Sequence, residues 1–251
     1  MNKQFSISNV LNEAWSEIQD NFVFYLQLNV IFLVSSFILG FVLGIILAAK
    51  LEIVAYIVGA ILFTFLTMKL AILTHRAVLL KEYRLSNMST WQEYDKKFLV
   101  WVFFSILFML GIGFILVLLG YPTEEKELST PVTIFFFIVV ILLSLMFSRL
   151  GLVFPDAATN GNMRLKEAWE RTKPYAGSLF ILVIIIPGIL NKITEFIPQT
   201  NLVTILFSAF ILIFISIFQI TIISICYKLI FDQNDDNNKN QQEKNPDSIV
   251  L

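Results

Sequence analysis

The amino-acid sequence predicts an all-α membrane protein: six transmembrane helices arranged as three interfacial-helix-plus-hairpin repeats. Three observations lead there. Hydrophobic residues make up 57% of the 251 residues and charged residues 15%, against about 45–50% and about 25% in soluble domains. With 25 Phe and a mean hydropathy of +0.77, a soluble fold of this length could not bury its apolar surface. Apolar stretches approaching or exceeding the roughly 20 residues that cross a bilayer recur six times, and Trp-bearing amphipathic segments are spaced among them.

Residues 1–21 do not read as a signal peptide, because Glu13, Glu17 and Asp20 interrupt the apolar residues. Val10, Leu11, Ala14, Trp15, Ile18 and Phe22 instead fall on one helical face, as in a helix lying in the membrane interface with Trp15 at headgroup depth. Phe22 to Ala49 is uncharged and forms the first span, and Ile53 to Leu80 the second, carrying Lys69 and His75–Arg76. Met88, Trp91, Tyr94 and Phe98 then repeat the amphipathic pattern, with Thr90 and Glu93 spaced for a capping box. Phe98 to Gly120 is the third span and Val132 to Pro155 the fourth, interrupted only by Arg149. Leu165, Ala168, Trp169 and Thr172 make a third amphipathic segment, ended by Pro174. Ala176 to Leu190 is a short fifth span containing Pro187–Gly188, which kinks or breaks a helix. Leu202 to Phe231 is the sixth, with Lys228 near its end. In lipid the backbone must bond to itself, so stretches of this kind are helices.

Six spans put both termini on one side. With that side cytoplasmic, inner regions and span ends hold 14 Lys and Arg and the outer loops three, Lys50, Lys126 and Lys192, a strong positive-inside bias. The longest outer loop, Tyr121–Pro131, is acidic through Glu124, Glu125 and Glu127.

The spacing repeats. Trp15, Trp91 and Trp169 are 76 and 78 residues apart, and the bases Lys69, Arg149 and Lys228, each followed by Leu, are 80 and 79 apart. A unit of about 78 residues used three times divides a six-helix domain of residues 1–231 into repeats at about 5–80, 85–160 and 161–231. Residues 232–251 hold five acids and two bases and little apolar content before Ile249-Val250-Leu251, so they are expected to form a disordered cytoplasmic tail.

Bases inside spans are expensive and mark functional sites. Lys69, Arg149 and Lys228 are accordingly the candidate site for an anionic lipid headgroup or another phosphate-bearing solute, set against simple snorkelling to the interface. Trp15, Trp91 and Trp169 are expected as interfacial anchors. Ser36, Gly40, Gly44 and Ala48 recur every four residues and offer a close-packing face, to a neighbouring helix or a second copy. Gln27, Asn29 and Gln219 are expected to join helices through hydrogen bonds, the alternative being that they line a polar path, Gln27 and Asn29 with Lys69 and Arg149. His75 with Arg76 is expected at a span end, and Cys226 as a packed thiol. One His and one Cys leave no multi-cysteine metal site. The acids Asp156, Glu167 and Glu170 are scattered among bases, and no glycine-rich phosphate loop is present. No catalytic residue, metal or cofactor is expected, and a net charge of −1 gives no reason for a nucleic-acid partner.

Val10-Leu11-Asn12-Glu13-Ala14-Trp15 ahead of a span, and Arg149-Leu150 through Pro155, Gly161 and Glu167-Ala168-Trp169, resemble a group of bacterial membrane proteins. The group comprises the membrane domain found on some glycerophosphodiester phosphodiesterases and the related YciC-type inner-membrane proteins. The resemblance covers most of residues 5–231 and implies a six-helix protein of the bacterial inner membrane. The phosphodiesterase barrel itself needs about 250 further residues, so that activity is not expected here. The expected function is non-enzymatic, a lipid-associated scaffold or membrane-homeostasis component contacting anionic lipids, with homo-oligomerisation left open. The alternative is a small transporter or channel for an anionic or lipidic solute.

Overall fold

A computed structural model describes residues 5–118 and 130–244, and the side chains of residues 5–114 and 134–231. The described residues are helical, without strands, and six helical stretches are long and apolar enough to cross a membrane. The protein is an all-α membrane protein. The acidic loop expected over Tyr121–Pro131 lies almost wholly outside the described residues.

Helix α1 (Ile7–Asp20) opens where Ser6 accepts the Asn9 N–H at 3.2 Å, a side-chain cap for an otherwise orphaned donor. A turn at Asn21 leads into α2 (Phe22–Ala48). Lys50, at φ 59°, reverses the chain into α3 (Glu52–Leu80), and Lys81, at φ 56°, ends α3. A 3-10 turn, Leu85–Met88, precedes α4 (Glu93–Leu118). The capping box expected from Thr90 and Glu93 does not form. Asp95 instead reaches back to the Gln92 N–H at 2.6 Å, the same device two residues later.

The fourth apolar stretch does not run through as one helix. It is α5 (Thr130–Leu150), a turn at Gly151–Leu152, and the short α6 (Val153–Ala158). Asn160, at φ 69°, then closes α6 with Asn160 N–H bonded to Ala157 O at 3.1 Å and Gly161 N–H to Asp156 O at 2.8 Å, a Schellman motif with Asn in the left-handed position. Next come α7 (Leu165–Thr172), a 3-10 turn, α8 (Ala176–Phe180), a π-helical turn over Ile181–Ile185, and α9 (Ile186–Glu195). The break expected at Pro187–Gly188 is thus a widened turn. Proline has no N–H to offer the carbonyl four residues back and crowds it, and a π turn just upstream accommodates this without ending the span. Helix α10 (Leu202–Lys244) is the longest. Its backbone stays helical past the expected boundary at Phe231, because extending a formed helix costs far less than starting one. Its side chains from residue 232, and residues 245–251 entirely, lie outside the described residues.

α3 and α10 are central. α3 packs against α2, α4, α6 and α10, and α10 packs against α1, α2 and α9. The core is concentrated at one end of the bundle, where α1, α6 and α7 gather with most of the charged residues. Val10, Ala14, Leu152, Leu179, Leu182, Ile222 and Ile225 form one cluster, and Tyr25, Leu28, Leu73 and Ile217 another. Towards the opposite end, Phe37, Phe41, Ile45, Ile53 and Ile57 face outward. This suits a lipid solvent, in which apolar side chains gain little by leaving the membrane for a neighbouring helix.

The close approach between α2 and α3 is at Gly59, where a Cβ would lie 2.9 Å from Leu43 Cδ1. It does not use the expected stripe. A Cβ on Gly40 or Gly44 would meet nothing within 4 Å, Ala48 is exposed, and Ser36 is half-buried. Among the described residues that face is open at Gly40, Gly44 and Ala48, while the Ser36 hydroxyl is buried.

Candidate functional site at the charged end

Lys69 is on α3, three turns before its end. Its side chain points into the protein rather than up to headgroups. Nζ donates to Asp95 Oδ2 at 2.7 Å, to Thr90 O at 2.6 Å and to Asn87 O at 3.5 Å, and it lies 5.6 Å from the centre of the Trp91 ring. The residue is 7% exposed and Asp95 is fully buried. Asp95 can be there because α4 begins at Glu93, which puts it on the first turn, where a carboxylate is favoured by the helix dipole.

Arg149 ends α5 and is also 7% exposed. Its guanidinium carbon lies over Trp169, 3.4 Å from the ring centre. Nε donates to Thr172 Oγ1 at 3.1 Å, and Nη2 donates to Trp169 O. No carboxylate of the described residues pairs with it. It is held by a ring face, a hydroxyl and a carbonyl near the C-terminal end of α7, where the helix dipole is negative.

Lys228, on α10, reaches α1. Its Nζ is 3.2 Å from Glu13 Oε1, with the lysine side chain 39% exposed. Trp15, two residues beyond Glu13, stands edge-on to Phe218 of α10, ring centres 6.3 Å apart.

The three bases share no partner. Each instead fastens a closing span to a Trp-bearing segment: α3 to the start of α4, α5 to α7, and α10 back to α1. The three Trp side chains remain exposed while resting on Phe218, on Phe65 at 5.1 Å between ring centres, and on Arg149.

Two buried or half-buried acids complete the layer, and neither was singled out as a centre from sequence. Glu17 on α1 receives Tyr83 Oη at 2.7 Å, Tyr25 Oη at 3.3 Å, Asn21 Nδ2 at 3.2 Å and Lys81 Nζ. Burial first, and then the facing Glu17 carboxylate, push the Tyr83 hydroxyl well above the usual tyrosine range. Asp156 on α6 accepts Tyr227 Oη at 2.9 Å and the Met163 N–H at 2.8 Å. Arg76 bridges Glu82 at 2.7 Å and Ala158 O at 2.9 Å, and lies 4.0 Å over the Tyr94 ring. Arg76, Lys81, Glu82, Arg84, Asn87 and Gln92 line an open, basic cavity of about 500 Å³.

His75 parts from Arg76 and turns inward, its Nδ1 2.7 Å from Ser224 Oγ. Ser224 lies 2.9 Å from Ile220 O. The Ser224 hydroxyl thus lies between His75 Nδ1 and its own helix's carbonyl, and the pair ties α3 to α10. Asn29 Nδ2 donates to Phe210 O at 3.1 Å and ties α2 to α10. Gln27 is on the outer surface, and Gln219 Nε2 has no acceptor among the described residues. Cys226 is buried. Glu167 pairs with Arg171 at 3.0 Å and Glu170 with Lys166 at 3.9 Å along α7, away from Asp156's own partners.

No family model matches this chain, and neither a curated protein nor a solved structure matches it.

Proposed function

We propose that the protein is a non-enzymatic, lipid-associated scaffold or membrane-homeostasis component of the bacterial inner membrane, with both termini in the cytoplasm, of the kind represented by the YciC-type proteins. The observation that carries this is the set of three base-to-segment contacts. Lys69, Arg149 and Lys228 bind the chain's own interfacial segments, so the bases expected for a ligand serve to hold the charged end together. Between α2, α3 and α10 most packing side chains are apolar, among them Leu28, Phe32, Leu73 and Ile217, and the buried polar ones, Asn29 and the His75–Ser224 pair, are spent on contacts from helix to helix, which suits a frame better than a path for a polar solute. The bases left facing outward, including Arg84, Lys96, Arg164 and Lys166, are the ones available to anionic headgroups.

A small transporter or channel for an anionic solute is the second reading, favoured by the basic cavity beside Arg76 and Lys81. Thiol accessibility in intact membranes separates the two. Leu28→Cys, Leu73→Cys and Ile217→Cys, each in a Cys226→Ser background, should resist a small water-soluble thiosulfonate for the scaffold. Modification graded with depth from the charged end would establish the transport path instead.

A further inference from the structure

Two of the three hairpins close along their length, α2 on α3 and α9 on α10. Among the described residues the middle one, α4 with α5, does not. Between α4 and the α5–α6 corner lies a cleft of about 590 Å³, lined by Trp101, Phe104, Ser105 and Phe108 on one wall and by Met146 and Phe147 on the other. Phe108 and Phe147 meet edge to face, ring centres 5.3 Å apart. Ser105 contributes the one polar side chain of the lining.

The cleft has a charged mouth. Lys97, Trp101, Ser105 and Phe108 follow one another at helical spacing along α4, so the wall of the cleft ends in a lysine. Lys97 Nζ donates to Asn160 O at 2.9 Å, to Gly161 O at 3.3 Å and to Asn162 Oδ1 at 2.9 Å. These acceptors are all neutral, so its positive charge is uncompensated. Arg164 adjoins Leu165 of the cleft lining and is exposed. Among the described residues neither base has a carboxylate in ion-pair contact. The distance from Lys97 to Phe108 along the helix is about 16 Å, close to half of the roughly 30 Å hydrocarbon layer.

We infer that this cleft holds one acyl chain of an anionic phospholipid from the leaflet at the charged end, with the phosphate at Lys97 and Arg164. An apolar slot lined along about 10 Å of α4, from Trp101 to Phe108, with Lys97 one turn beyond it and Arg164 next to its Leu165, has the shape and charge of that ligand. Arg149 is next to the cleft in sequence but faces α7, and it takes no part. The inference makes the lipid-associated reading specific: one lipid class at one groove, rather than contact around the whole perimeter.

The test is photolabelling in vesicles of phosphatidylcholine. One probe is phosphatidylglycerol with a diazirine midway along an acyl chain, and the control is phosphatidylcholine with the same chain. Adducts should concentrate on residues 101–108 and 146–154, with the anionic probe favoured about 25-fold, the preference that two surface bases give together. Arg164→Gln, whose side chain makes no ion pair among the described residues, should lower that preference about fivefold. Ser105→Trp should fill the cleft and abolish the local adducts. Where Ser105→Trp does not fold, Arg164→Gln decides alone. Even labelling of all six spans, equal labelling by both probes, or a crosslink to a second copy's helix in the cleft would each overturn the inference. The thiol scan above is independent of it, since a core sealed to thiol reagents with an unlabelled cleft would leave the scaffold standing and remove only the bound lipid.

Discussion

The Lys69–Asp95 pair shows how much of a single residue's role depends on its partner. With Asp95 fully buried and its Oδ2 held by both Lys69 and the Gln92 N–H, Lys69→Ala leaves a carboxylate without its counter-charge. Such truncations cost about 3–5 kcal/mol. The charge-free pair Lys69→Met with Asp95→Leu should cost much less, mainly the helix cap, worth about 1 kcal/mol. Thermal unfolding of the two variants in detergent measures the difference, and equal losses would show that the pair is not coupled. Tyr83 gives a pH prediction. Its hydroxyl titrates above the usual range in the folded protein, so folding favours the protonated form. That contribution is whole below the ordinary tyrosine value, about 10, and is lost as pH rises beyond it. Tyr83→Phe should therefore lower stability at neutral pH, because Glu17 loses a hydrogen bond, yet flatten the fall above pH 10. An unchanged alkaline limb would place the titration elsewhere. Sequence showed that Lys69 was unusual and could not show why. Asp95 follows Trp91 by four residues, Thr172 follows Trp169 by three, and Glu13 precedes Trp15 by two. With no constant offset there is no periodic signal, and only the packing of helices distant in sequence identifies the partners.

At the level of elements, the spans were legible because a bilayer demands long apolar stretches whatever their tertiary neighbours. Of their internal breaks, only the one at Pro187–Gly188 was. The corner at Gly151–Leu152, the π form of the turn before Pro187 and the Asp95 cap depend on local hydrogen bonding that composition does not carry. The small-residue stripe from Ser36 to Ala48 illustrates the same limit, since helical spacing reveals a face but not what covers it. The link between α6 and α7 is the most constrained of these local devices. A Cβ on Gly161 would fall 2.1 Å from Asp156 Oδ1, so Gly161→Ala must displace a carboxylate that receives both Tyr227 and the Met163 N–H. Hydrogen bonds to charged groups are worth about 1.5–3 kcal/mol each, and losing one or both should appear as a loss of at least about 1.5 kcal/mol. The same glycine change in an Asp156→Ala background should cost far less, because the displaced group is already gone. A double-mutant cycle reads this coupling directly, and additive losses would mean that the glycine acts through the backbone instead.

Across the whole molecule, the base-to-segment contacts run in a ring. α3 is fastened forward to α4, α5 forward to α7, and α10 back to α1, so the end of the chain's membrane region is secured by its beginning. At the charged layer the first helix thus supplies the last span with a partner, through Glu13 and the buried cluster that α1 shares with α10. The ring makes α1 a stabilising part of α10, although nearly 200 residues of sequence separate them. Val10 and Ala14 of α1 share one buried cluster with Ile222, Ile225 and Cys226 of α10, and Lys228 meets Glu13 above it. The protein's only cysteine therefore reports on the closure. In the intact protein Cys226 should stay unmodified by a water-soluble maleimide applied to the charged side. Deleting residues 5–20 should expose it, with labelling becoming near complete while the helical circular dichroism of the remaining spans persists. Glu13→Lys with Lys228→Glu keeps the contact with its charges exchanged and should leave the thiol protected, whereas Lys228→Glu alone sets two acids against each other and should label faster. Protection of Cys226 after the deletion would mean that α10 holds its place without α1, and that the ring is a coincidence of three separate contacts.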